Sequence, residues 1–183
     1  MFNLFRSKAR TKSRETIERL YGVIVAQSRR AEFYTDFAVP DTIEGRFEMV
    51  VLHTVLLCHR LKAGNVEERA LSQEIFDAFA ADMDRTLREL GVGDLTVPKK
   101  MKKIGEAFYG RAKAYDSALA ADDRAELARA LARNVLERPD GEGGEDLAFY
   151  VRAATEHLAA TPFETLARGS LELPAPARRE SAS

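Results

Sequence analysis

The sequence predicts an all-α protein, a single-domain helical bundle of about six to seven helices, and three observations carry that expectation. Apolar residues recur with a period near 3.6 through almost every segment, and no segment sustains the alternation of a half-buried strand. The periodic stretches are separated by proline and glycine, which end helices by lacking a backbone donor or by raising the entropy lost on folding. A length of 183 residues with 45% apolar content suits one domain with a sizeable core and excludes a disordered chain.

Ile17, Leu20, Tyr21, Ile24 and Ser28 stack on one face of a first helix that begins near Ser13. The break falls at Val39-Pro40-Asp41, because proline disfavours helix in the residue before it. A second helix, from Ile43 or Gly45 to about Lys62, is apolar nearly all round, which marks it as the central and most buried element. Gly64 is placed to end it. The third helix runs from about Val66 to Leu90, with Phe76, Phe79, Met83, Leu87 and Leu90 in one stripe and an Asp84/Arg88 pair on the far side.

Gly91 to Val97 is a connector, and Pro98 suits the first turn of a fourth helix that reaches about Leu119. Asp122 is the expected cap of a fifth helix ending near Leu136. Pro139 to Gly144 reads as a loop, and Leu147, Tyr150, Val151, Ala154 and Leu158 mark a sixth helix. Thr161-Pro162-Phe163-Glu164 has capping-box spacing for a short seventh. The expected division is a basic N-terminal segment over residues 1–12, the helical domain over 13–170 and a flexible tail over 171–183, where the composition turns to Pro, Ala, Arg and Ser.

Several chemistries find no support in the residues. A lone Cys58 excludes a disulfide framework and a cysteine-built zinc site, which makes a reducing compartment the default. The richest apolar run, Met49 to Cys58, is ten residues long against the ~20 needed to cross a bilayer, and no secretory signal precedes it. His53 and His59 point about 240° apart on a helix, so neither shares a metal with the other; His53 is expected to be a core histidine with a hydrogen-bond partner. Asp77, Asp82 and Asp84 suggest the Mg²⁺ of an all-helical prenyl-substrate enzyme, but they do not share an inward face, and a solvated surface is the better reading. Gly91-Val92-Gly93 has no preceding strand and lacks the third glycine of a dinucleotide fingerprint. Gly141-Glu142-Gly143-Gly144 sits among acids that repel phosphate. No catalytic residue, cofactor, metal or DNA partner is expected.

The charge pattern is more informative than its total of -1. Residues 1–30 carry net +6, residues 31–98 net -7, residues 99–113 net +5 and residues 114–183 net -5. On the fourth helix Lys99, Lys102, Lys103 and Lys113 fall within about 60° of one line, opposite Met101, Ile104, Phe108, Tyr115 and Leu119. One side is core and the other a lysine ridge, able to meet phosphate, anionic lipid or an acidic protein surface. Lys99, Lys100, Lys102, Lys103, Phe108, Tyr109, Arg111, Lys113 and Asp94 are the candidate partner-binding residues. Phe2, Phe5, Arg6, Lys8, Arg10 and Lys12 set apolar residues beside basic ones, a candidate membrane-surface segment.

Three stretches also carry a resemblance. Phe33-Tyr34 to Val39-Pro40-Asp41-Thr42 continues into Gly45-Arg46-Phe47-Glu48-Met49 and Val51-Leu52-His53. Leu71-Ser72-Gln73 leads to Phe76-Asp77-Ala78-Phe79 and Asp82-Met83-Asp84. Leu90-Gly91-Val92-Gly93-Asp94-Leu95 runs through Lys99-Lys100-Met101-Lys102-Lys103 to Glu106-Ala107-Phe108-Tyr109-Gly110-Arg111. From about Tyr21 to Val151 the chain resembles the ubiquinol-cytochrome c chaperone family. That resemblance implies a non-enzymatic assembly factor for the cytochrome bc complex (respiratory complex III) that binds newly made cytochrome b. In the mitochondrial members it also implies association with the ribosome and a small partner protein. The sequence shows no mitochondrial presequence, so a bacterial member is expected, cytoplasmic or peripheral at the cytoplasmic face of the inner membrane. The rival readings are a ribosome- or RNA-binding helical adaptor, from the net +5 block, and the prenyl-substrate enzyme.

Overall fold

A computed structural model describes the backbone of residues 2–179 and the side chains of residues 13–179. Among the described residues there are eight helices: α1 Phe2–Ser28, α2 Ala31–Thr35, α3 Ile43–Lys62, α4 Val66–Glu89, α5 Val97–Ala120, α6 Arg124–Asn134, α7 Glu145–Ala160 and α8 Phe163–Ala167. The all-α expectation holds.

α3 is the hub, packing on α1, α4, α5 and α7, while α6 closes the far side between α5 and α7. Its apolar circumference explains that place: Met49, Val51, Leu52, Val55, Leu56, Leu57 and Leu61 are all buried, because each face meets a different neighbour. Thr42 caps its start, accepting from the Gly45 amide at 3.0 Å. A Cβ on Gly45 would lie 2.0 Å from the Pro40 carbonyl oxygen, so glycine permits the tight approach of the preceding segment. α4 opens on a full capping box, in which Asn65 accepts from the Glu68 amide and Glu68 accepts from the Asn65 amide.

Contacts fix the helix directions. Ser13 with Glu74 and Tyr21 with Asp82 set α1 parallel to α4. Arg60 with Glu68 turns α4 back on α3. Glu48 with Arg111 and His59 with Asp116 set α5 parallel to α3.

The structure moves several boundaries. α1 begins at Phe2 rather than Ser13, because residues 2–12 hold neither proline nor glycine and are mostly good helix formers. It stops at Ser28, well before Val39. The Ser28 hydroxyl turns onto the Ile24 and Met49 carbonyls, and Tyr34 of the unexpected α2 donates to the Ser28 carbonyl at 2.6 Å. Asp123, not Asp122, caps α6, since Asp122 adopts φ 52° and the side chain of Asp123 accepts from the Glu126 amide at 2.9 Å. The capping box at Thr161 does not form, because Pro162 takes the N-cap place and the Thr161 hydroxyl donates to the His157 carbonyl. After α8 the chain stays attached as far as Arg179. Leu171 is buried, the Pro174 carbonyl accepts from Gln27 at 2.8 Å, and Arg178 and Arg179 pair with Asp146.

The expected core histidine is where the sequence puts it. His53 donates from Nδ1 to the Met49 carbonyl at 2.8 Å, with Ser28 Oγ also within 3.0 Å, and accepts at Nε2 from the Tyr150 hydroxyl at 2.8 Å. Gln27 donates to the same hydroxyl at 3.0 Å, so one buried network joins α1, α3, α7 and the C-terminal segment.

Candidate functional site

α5 positions the candidate surface. Its inner face packs Phe108, Tyr115 and Ala118 into the core, with Met101, Ile104 and Leu119 half-buried against it. Its outer face presents Lys99, Lys100, Lys102, Lys103 and Lys113, all exposed. Lys102 lies 3.8 Å from Glu106, and among the described residues the other four lysines pair with no carboxylate. The ridge read from the sequence is therefore a real feature of the surface.

Tyr109 stands at the edge of that ridge, 61% exposed. Beneath it, α3, α4 and α5 enclose an open cavity of about 340 Å³. Val55, Cys58, Phe76, Phe108 and Ala112 line its apolar part, and His59, Lys62, Arg69 and Asp116 form a polar rim. The rings are set by mutual edge and tilted packing. Phe76 lies 4.9 Å from Phe108 and 5.4 Å from Tyr109, and Phe79 lies 5.3 Å from Phe108 between centroids. On the rim, His59 Nδ1 donates to Asp116 at 2.5 Å and Lys62 pairs with the same carboxylate. Burial pushes that carboxyl up, but the hydrogen bonds it accepts from His59 and Lys62 together hold it below its usual range. Cys58 is half-buried and its thiol is pushed up to about 11 by burial, which keeps it protonated and unreactive at neutral pH.

Three expected surface residues are otherwise engaged. Phe108 is only 3% exposed, because the helical period turns it inward under Phe76 and Phe79. Arg111 reaches across to α3, where its Nε and Nη2 both donate to the buried Glu48 carboxylate. Burial raises the Glu48 carboxyl, and the guanidinium opposes that rise. Asp94 lies in the connector, where Arg88 pairs with it. The side chains of Phe2, Phe5, Arg6, Lys8, Arg10 and Lys12 lie outside the described residues.

The acidic trio is dispersed. Asp77 accepts from Gln73 at 2.8 Å, Asp82 accepts from Tyr21 at 3.0 Å and pairs with Arg85, and Asp84 pairs with Arg88 at 2.7 Å. Among the described residues no three metal-ligating side chains converge. None of the described helices is long and apolar enough to cross a membrane. A larger groove of about 980 Å³ lies between α1 and α4, with Ile17, Tyr21, Gly22 and Val25 on one wall and Ala78 and Ala81 on the other. Arg14, Arg29 and Arg85 alternate there with Glu18, Glu74 and Asp82, so it carries no net sign.

α5 thus sets a face of exposed lysines, four of the five unpaired among the described residues, beside an apolar cavity. The chain belongs to the ubiquinol-cytochrome C chaperone family, whose model matches residues 35–173. It is 44% identical to the Cbp3 homolog from Brucella abortus known from a crystal structure, with a TM-score of 0.84 over 95% of this chain and 96% of that one. It is 28% identical over 150 residues to ubiquinol-cytochrome-c reductase complex assembly factor 1 of Xenopus laevis, covering 81% of this chain and 74% of the frog protein. The human protein of that name is 27% identical over 150 residues, and the chain spans 50% of its length.

Proposed function

We propose that this chain is an assembly factor for the ubiquinol-cytochrome c reductase (cytochrome bc) complex, and that it holds newly made cytochrome b until the complex forms. The reading rests on one observation above the others: the lysine ridge of α5 adjoins the aromatic cavity under Tyr109. An unassembled membrane subunit exposes apolar side chains, and a cavity walled by Phe76, Phe108 and Tyr109 shelters them from water. Lys99, Lys100, Lys102, Lys103 and Lys113, with Tyr109, are the binding residues. Phe108 supports that surface from below, and Arg111 and Asp94 take no direct part. The likeness to relatives named as assembly factors supports the same reading. The role is one of binding at or near the cytoplasmic face of the inner membrane, and no catalytic step is proposed.

A second reading, a ribosome- or RNA-binding adaptor, is favoured by the same exposed lysines. Deletion of the gene separates the two. The proposal expects cells lacking the protein to lose most of their assembled cytochrome bc complex, measured by haem spectra and native gels, while other respiratory complexes persist. A deletion strain with the normal amount of the complex would exclude it.

A further inference from the structure

We propose that the tip of the α4–α5 hairpin is a membrane-docking device, which seats Leu95 and Leu90 in the interface of an anionic lipid bilayer with the first lysines of α5 on the headgroup phosphates. The tip is the connector over residues 91–96 between α4 and α5, exposed along its length except for the half-buried Val92.

Leu95 at the crest is 99% exposed and Leu90 is 59% exposed, so both aliphatic side chains stand in water where they gain nothing. The only carboxylate on the connector, Asp94, is paired with Arg88. Lys99, Lys100, Lys102 and Lys103 follow within two turns, all exposed. The N-terminus of α5 adds the positive end of a helix dipole.

The charges alone would suit RNA as well as lipid. The leucines decide between them. Nucleic acid rewards lysine through its phosphates, but single strands stack on aromatic rings, and the tip has none. A bilayer interface takes both halves, aliphatic side chains at the acyl boundary and lysines at the phosphates. The inference uses part of the same lysine face as the assembly role but needs no cytochrome b. Lipid binding could therefore fail while the deletion phenotype stood, or the reverse.

The chain contains no tryptophan, so Leu95→Trp places a single indole at the crest. Vesicles of phosphatidylcholine mixed with phosphatidylglycerol are expected to shift its emission to the blue, and vesicles of phosphatidylcholine alone are not. In co-sedimentation with the mixed vesicles, Leu95→Asp is expected to weaken binding about tenfold or more. Joint reversal of the four lysines to glutamate is expected to weaken it about a hundredfold or more. Both changes are at exposed positions, and circular dichroism should be unchanged. Equal binding to neutral vesicles, equal binding by Leu95→Asp, no binding by the wild-type chain, or capture of ribosomal RNA that ignores Leu95→Asp while the vesicles go unbound would each overturn the proposal.

Discussion

Arg111→Ala is expected to lower the unfolding free energy by about 3–5 kcal/mol, the cost of stranding a buried carboxylate. Arg111 reads from the sequence as one more member of a basic block, yet its guanidinium spans from α5 to Glu48 on the hub helix. Both side chains are largely withdrawn from water, at 21% and 10% exposure. Without the guanidinium, Glu48 loses the partner that opposes the upward push of burial on its carboxyl. Urea unfolding measures the loss directly. Lys113→Ala, two residues along and exposed, should stay within about 0.5 kcal/mol of wild type. Joint replacement, Glu48→Leu with Arg111→Met, removes both charges and should recover most of the stability, because the desolvation of the pair goes with the pair. An Arg111→Ala protein as stable as wild type but unable to bind its partner would return Arg111 to the interaction surface.

Acid should weaken the fold through His53 before it reaches most carboxylates. Complete burial pushes the imidazole down to about 4, while an unfolded chain titrates near the ordinary histidine value of about 6.5. Between those values the unfolded state binds a proton that the folded state refuses. Stability contributed by neutral His53 is thus fully present above about pH 6.5 and falls with pH by about 1.4 kcal/mol per unit, to a loss of about 3 kcal/mol near pH 4. The carboxylates held low by cations, Glu68, Asp84, Glu126 and Asp146, shed their contribution lower still, as pH falls through their own range. His53→Gln keeps a polar side chain against Tyr150 and should flatten the slope between about pH 6.5 and 4, at some cost in stability at neutral pH. Equal slopes for variant and wild type would mean that the imidazole is not the group responsible.

The helices that the sequence shows best are those whose buried face is continuous. α3 announces itself by being apolar all round, and α7 by five buried residues at helical spacing, Leu147, Tyr150, Val151, Ala154 and Leu158. α2 is different. It is five residues long, follows a break with neither proline nor glycine, and exists because Phe33 packs into the core and Tyr34 reaches back to Ser28. Tertiary contacts of that kind leave no local signal.

The site divides in the same way. Helical periodicity is enough to place Lys99, Lys102, Lys103 and Lys113 on one outer face of α5. It also turns Phe108 inward, and only adjacency in the chain recommends that residue for the surface. The cavity beneath Tyr109 draws on three helices, so Val55, Cys58 and Arg69 could not be grouped before the fold was known. Leu90 reads as the end of a buried stripe, and the turn at Gly91, with φ 79°, leaves it outside the bundle. Leu95 did carry a signal: a lone leucine in a Gly-Val-Gly-Asp-Leu-Thr connector belongs to no periodic face.

If the α5 face receives cytochrome b, the two proteins should be recovered together by affinity capture from respiring cells, with mass spectrometry of what accompanies the bait. Cytochrome b is expected among the captured proteins, and is expected to be lost when Tyr109→Asp is combined with charge reversal at Lys102 and Lys113 in a protein that still folds. Cytochrome b captured equally by that variant, or ribosomal proteins recovered without cytochrome b, would rule out that role for the α5 face.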